Sequence, residues 1–129
     1  MISEDEIDRI SNVVIGCAIE VHKVLGPGLL ESAYQHCLAW ELRQAGLVVV
    51  EQVAIPIQYK SVAIANAYRL DMVVENELVL ELKAVERLEP VHVAQMLTYL
   101  RANRFRLGLL LNFNVESMRK GIKRIVNNL

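Results

Sequence analysis

Cysteine is scarce in this chain. Cys17 and Cys37 are its two cysteines, and no Cys-x-x-Cys spacing occurs. That rules out a disulfide framework or a zinc ribbon, and leaves two buried, reduced thiols on separate helices of a cytoplasmic protein. Glycine is sparse as well, and Gly26-Pro27-Gly28 is too short and too proline-broken to be a P-loop or a dinucleotide fingerprint. No apolar run reaches the ~18 residues of a membrane span. The acidic start Ser3-Glu4-Asp5-Glu6 is the reverse of a signal peptide, so neither a membrane segment nor a leader is expected. His22, His36 and His92 are scattered without ligand spacing and without a nucleophile beside them, which suits surface or helix-end positions. Aromatics make up only 5% of the residues, leaving little surface for stacking on nucleobases.

What is present is apolar bulk. With 53% hydrophobic residues, 129 residues make one ordinary domain with a substantial core, here taken as 1–129. A net charge of −1 excludes a generally adhesive polyanion binder. The charge is uneven, however: residues 1–100 sum to −7 and residues 101–129 to +6. The basic tail holds Arg101, Arg104, Arg106, Arg119, Lys120, Lys123 and Arg124. It reads either as a phosphate-facing surface or as a helix end complementing its own dipole.

Periodicity orders the elements. Ile7, Ile10, Val14, Cys17, Ala18 and Val21 recur at helical spacing after a Ser3/Glu6 capping box, predicting a helix over 3–25 that Gly26-Pro27-Gly28 stops. A second helix follows over 30–45, with Gly46 closing it. Strand-like segments at 47–59, 62–75 and 78–85 come next, with Pro56 marking an edge or bulge in the first. Pro90 opens a third helix to Asn103, residues 106–113 read as a fully buried strand, and 115–126 as a final helix. The order ααβββαβα implies an α/β domain with a mixed central sheet flanked by helices. Its leucine-rich last strand should lie parallel to the strand of residues 78–85, because a helix joins them.

Asp71, Glu81 and Lys83 interrupt the apolar middle of this pattern. Strand alternation puts Val79, Glu81 and Lys83 on one face and Leu78, Leu80 and Leu82 on the other. On the preceding strand, Leu70, Met72 and Val74 fall together, leaving Asp71 with Val73 and Glu75. A three-residue turn at Glu75-Asn76-Glu77 pairs Val74 with Leu78 and brings Asp71 opposite Glu81. Facing carboxylates repel, and a Mg²⁺ or Mn²⁺ ion, which takes oxygen ligands, removes the conflict. Lys83, on the same face, is placed to act on a water and on charge developing at a phosphate. The alternative is the wet face of an amphipathic strand.

Two further patterns accompany this one. Glu31 lies in the first turn of the second helix, on one face with Tyr34 and Leu38, so it should point partly inward; an acid there also simply suits the helix dipole. Gln95 and Tyr99, four apart on the third helix, could bind a phosphate or orient metal ligands, or be an exposed glutamine and a half-buried tyrosine.

Taken in order, Gly28-x-x-Glu31-x-x-Tyr34, Asp71, Glu81-x-Lys83 and Gln95-x-x-x-Tyr99 resemble the GxxExxY family of the PD-(D/E)xK nuclease-like superfamily, over residues 10–113. The Gln-x-x-x-Tyr element is similar to that of RecB-type nucleases. Leu70 stands where the superfamily's name would put proline. The resemblance implies a restriction-endonuclease-like core, with Glu31, Asp71 and Glu81 as metal-site acids and Lys83 as catalytic lysine. The expected activity is a Mg²⁺- or Mn²⁺-dependent nuclease acting on DNA. The carbonyl of Leu82 would complete the metal ligands, and Gln95 and Tyr99 would orient the strand. A homodimer would double the phosphate-binding surface of so small a chain. The rival reading is a catalytically silent nuclease fold that serves as a binding or assembly module.

Overall fold

The computed structural model describes residues 2–128. Helix α1 spans Glu4–Leu25 and α2 spans Glu31–Gln44; strands β1, Val49–Tyr59, β2, Val62–Val74, and β3, Leu78–Lys83, follow. Helix α3 occupies Pro90–Asn103 and strand β4 Leu107–Asn112. The chain ends in a 3₁₀ turn, Met118–Gly121, and a fifth strand, β5, Ile122–Val126.

The sheet order is β1-β2-β3-β4-β5. Every pair is antiparallel except β3 with β4, which run parallel as the intervening helix requires. Helices α1 and α2 cover one face through Ile10, Val14, Tyr34 and Leu38, which pack on Leu78, Leu80 and Leu82 of β3. Helix α3 covers the other through Met96 and Leu100, against Val79, Leu110 and Leu70. Gly108 lets α3 come close: a Cβ there would lie 2.6 Å from the Met96 sulfur. With both faces covered, β3 and β4 are buried along nearly their whole length, which explains their continuous apolar runs.

Local chemistry sets the boundaries. Ser3 caps α1 by accepting the Glu6 N–H at 3.1 Å. The hairpin between β2 and β3 turns at residues 75–77, with Glu75 and Asn76 both at positive φ and Val74 paired with Leu78. Pro56 sits where the β1–β2 register shifts, between Ile55 and Ile57. Cys17 and Cys37 are free and only half-buried.

Two expectations need correction. Residues 115–126 do not form a helix. Met118, Ile122 and Ile125 repeat at helical spacing, but β4 would otherwise be a sheet edge with unpaired backbone, and β5 satisfies it through five residue pairs. Gly121 permits the turn into β5, since a Cβ there would overlap the Asn112 carbonyl oxygen. The basic tail is a helix end only in part: Arg101 lies in the last turn of α3 and Arg104 follows it as the C-cap, whereas Arg124 pairs with Asp8 at 2.7 Å and Arg106 donates to the Ile2 carbonyl at 2.6 Å.

The second correction concerns faces. Leu70 does not lie with Met72 and Val74; it packs on the α3 side, while they pack on the α1/α2 side. Strand β1 changes face in the same way, with Val49 on one side and Val53 and Ile55 on the other. The crossover coincides with Gln52, whose φ of 54° is left-handed and which falls between the Glu51↔Met72 and Val53↔Leu70 pairs, opposite Asp71.

Candidate active site

Asp71 lies where β2 and β3 separate. The ladder between them runs through Val74↔Leu78, Val73↔Val79 and Met72↔Leu80, and its next step would pair Asp71 with Glu81. There, side chains replace backbone partners. The Asp71 N–H donates to Glu81 Oε2 at 3.1 Å, and the Leu82 N–H donates to Asp71 Oδ2 at 2.8 Å. Each acid thus ties its carboxylate to the other's strand, and the two acid groups meet. Because a strand residue turns its N–H and C=O to the same side, the Leu82 carbonyl also faces this gap.

Glu81 is only 7% exposed. Burial first, then a hydrogen bond to the Asp71 carboxyl and the charge of Asp71, push its pKa up to about 9; the Asp71 N–H and the Lys83 ammonium pull the other way without winning. At neutral pH the pair is therefore held together by a proton on Glu81. This is the response expected of two acids confined at one place without a cation. The donor set, two carboxyl groups and a carbonyl, is all hard oxygen and fits Mg²⁺ or Mn²⁺.

Lys83, half-buried at the end of β3, lies close enough for its charge to act on Glu81. The strand end is clamped. Phe113 N–H donates to the Lys83 carbonyl at 2.9 Å. Buried Asn112 takes the Val85 N–H at 3.1 Å and donates to the Val85 carbonyl at 2.9 Å. Tyr99, from α3, joins the site from one side: burial raises its pKa, and the charges of Glu81 and Asp71 add to the shift. Its ring packs on Tyr68, centroids 3.9 Å apart. Tyr68, pushed up to about 12 by burial and then by the charges of Tyr99 and Glu81, carries a buried hydroxyl with no hydrogen-bond partner. Gln95, one turn before Tyr99, is exposed on α3.

Glu31 stands apart from the pair. It is exposed, not turned inward, and lines a shallow depression with Leu29, Leu30, Ser32 and Ala84, the residue that follows Lys83. Tyr34, three residues on, is fully buried instead: it stacks on Phe113 at 4.5 Å and holds the preceding loop by donating to the Gly26 carbonyl at 2.6 Å and accepting the Leu29 N–H at 3.1 Å. Tyr34 therefore fixes the loop from which Glu31 emerges. Gln35, one turn beyond Glu31, donates to the Asp71 carbonyl at 3.3 Å and to Glu51 at 3.2 Å. Among the described residues no group of three or more His, Cys, Asp or Glu side chains comes together as a metal site, so the cluster proper is Asp71 with Glu81.

Three residues that build this site escaped the sequence reading. Gln35 lies one helical turn from Glu31, Tyr68 three residues before Asp71, and Asn112 is the polar end of an otherwise apolar run; spacing from known positions was the available signal.

No helix among the described residues is long and apolar enough to cross a membrane. No curated protein and no solved structure matches the chain. A family model described as the PD-(D/E)XK nuclease superfamily does match, over residues 8–125. Those residues reach from within α1 to within β5, including both carboxylates and the lysine two positions after Glu81, and the chain belongs to the PD-(D/E)XK nuclease superfamily.

Proposed function

We propose that this protein is a divalent-metal-dependent nuclease that hydrolyses phosphodiester bonds in DNA. Members of this superfamily are usually nucleases and generally use divalent metals. The observation that carries the reading is the Asp71–Glu81 pair, in which each carboxylate accepts a backbone N–H from the other's strand at the point where the two strands part, with Glu81 buried. Asp71, Glu81 and the Leu82 carbonyl would hold Mg²⁺ or Mn²⁺. The ion, when bound, supplies Lewis-acid polarisation of the phosphate and a more acidic water.

The remaining steps belong to the chain's own side chains. Lys83 orients the attacking water and offsets negative charge developing on the phosphate oxygens. Glu31, exposed one turn from Gln35 at the same end of the sheet, receives hydrogen bonds from waters around the site. Gln35 steadies the Asp71 backbone through its amide. Tyr99 and Gln95 bind the substrate strand beside α3. A homodimer would present two such sites to one duplex.

The rival, a silent nuclease fold used for binding or assembly, draws on the two-acid cluster, since among the described residues no third ligand acid joins it. Calorimetric titration with Mn²⁺, followed by incubation with single- and double-stranded DNA and RNA, separates the two. Stoichiometric binding that Glu81→Ala removes, together with metal-dependent cleavage, is the expected result. Absence of cleavage of all four substrates at high protein concentration with either metal would give the rival precedence.

A further inference from the structure

Beyond the register shift at Pro56, β1 and β2 leave the body of the protein as a two-stranded arm, paired Ile57↔Ile64, Gln58↔Ala63 and Tyr59↔Val62. Residues 58–66 are exposed throughout. Paired residues of an antiparallel ladder share a face, so Ile57, Tyr59, Val62 and Ile64 form one apolar stripe, with Gln58 and Ala63 behind it. Three members of the stripe are solvent-facing: Tyr59 is 60% exposed, Val62 54% and Ile64 44%. A strand pattern of this kind is made to be covered, yet neither core cluster includes any of residues 57–66.

Charge says what covers it. From Gln52 to Leu70 the chain has no acidic residue and two basic ones, Lys60 and Arg69, although residues 1–100 as a whole sum to −7. Lys60 holds its ammonium over the Tyr59 ring, 5.3 Å from its centre, so the tip joins an aromatic ring to a cation. Direction matters too. Strand β2 passes from the arm straight into Asp71, and alternation along β1 puts Tyr59 on the face of Ile55, which packs on the α3 side where Tyr68 and Tyr99 lie. Ile55 is paired with Tyr68, so Tyr59 lies four residues, roughly 13 Å, beyond the tyrosine pair. The Tyr68 hydroxyl, buried without a partner, stands at the inner end of this path.

We infer that the β1–β2 arm is a stacking platform for single-stranded nucleic acid, leading the strand from Tyr59 at its tip to the Asp71–Glu81 pair at its base. Apolar and aromatic surface with few cations suits exposed base faces; a duplex, which offers mainly phosphates to such a surface, would require more basic residues than Lys60 and Arg69. The inference rests on the nuclease reading for its destination, but the binding step stands on the arm alone.

Fluorescence anisotropy with a labelled oligothymidylate, and with a duplex of the same length, measures that step in chelator-containing buffer without turnover. Wild-type protein is expected to favour the single strand. Tyr59→Ala should weaken that binding about 5- to 150-fold, the range of one lost base stack. Tyr59→Phe should retain it, and neither change should alter the melting temperature, since Tyr59 is exposed. Sedimentation of wild type and Tyr59→Ala runs alongside. A preference for duplex, no binding of either nucleic acid, an unaffected Tyr59→Ala variant, or a wild-type dimer that Tyr59→Ala dissociates would each overturn the inference, the last by identifying a second copy as what covers the stripe. Failure of the nuclease reading shows elsewhere: Mn²⁺ that does not bind at Glu81 leaves the arm result intact, whereas cleavage that Tyr59→Ala leaves unchanged, with unchanged anisotropy, removes the arm alone.

Discussion

Glu81 should make the metal-free protein lose stability as pH rises. Its folded-state pKa of about 9 lies above the ordinary carboxyl value of 4.5 in an unfolded chain, chiefly because the side chain is buried. The folded state therefore keeps a proton that the unfolded state releases, and stability falls with increasing pH between these values. At about 1.4 kcal/mol per pH unit, a rise from pH 4.5 to pH 7 costs at most about 3 kcal/mol, or roughly 10 °C in melting temperature for a chain of this size. Glu81→Gln isolates the effect. Its amide can accept the Asp71 N–H and donate to the Asp71 carboxyl, as protonated Glu81 does, but it does not titrate. Thermal melts in chelator-containing buffers from pH 5 to pH 9 should show the wild type falling below the variant as pH increases, with the gap widest at the alkaline end. Other groups titrate equally in both proteins and cancel in the difference. A wild-type curve parallel to that of Glu81→Gln, or one that rises between pH 6 and pH 9, would refute the protonated carboxyl pair.

Other perturbations test neighbouring parts of the argument. Lys83→Ala should abolish most cleavage while leaving Mn²⁺ affinity unchanged or slightly raised, because the lysine charge opposes the cation; Glu81→Ala should lose both, as read by calorimetry and by product formation on gels. Tyr34→Phe removes the hydroxyl shared by the Gly26 carbonyl and the Leu29 N–H, and should lower stability by about 1–2 kcal/mol in urea titration with the fold retained. Asn112→Ala leaves the Val85 N–H and C=O unpaired, and should cost about 2–3 kcal/mol and loosen the end of β3, measured as faster hydrogen exchange at Val85.

Where local chemistry decides the structure, the sequence was readable. The Glu75-Asn76-Glu77 turn, the Pro56 register shift and the parallel β3–β4 pair follow from residues near one another in the chain, or from the handedness of a helical crossover. The last element was not readable, because Met118, Ile122 and Ile125 recur at helical spacing and do not alternate with a period of two. What chose the strand was the otherwise unpaired edge of β4, a tertiary demand invisible in residues 115–126 themselves. The inward orientation expected of Glu31 gave way for a related reason: the residue is exposed. Helical spacing grouped it with Tyr34, but a shared face does not bury both ends of it: the first turn of α2 is exposed at Glu31 while Tyr34 stacks on Phe113.

The face change at Gln52 connects these points to the site. Strict alternation would have carried Leu70 to the α1/α2 side with Met72, leaving Asp71 on an uninterrupted strand whose backbone was paired to β3. Instead, a left-handed residue on β1 falls opposite Asp71, and the strands invert where the ladder with β3 ends. The Asp71 and Leu82 amides, no longer satisfied by the ladder, take the Glu81 and Asp71 carboxylates as partners, which draws the acids together despite their charge. Beyond the inversion, β2 has no β3 beside it and runs outward as the arm. One backbone irregularity thus accounts for both the meeting of the carboxylates and the open surface leading to them. Gln52→Gly, which relieves the cost of a positive φ, should leave both in place, whereas Gln52→Val, β-branched and unsuited to that conformation, should disrupt them. Loss of the pH-dependent stability difference between Gln52→Val and its Glu81→Gln double variant, with that difference retained in the Gln52→Gly background, is the expected readout; equal differences in both backgrounds would separate the irregularity from the site.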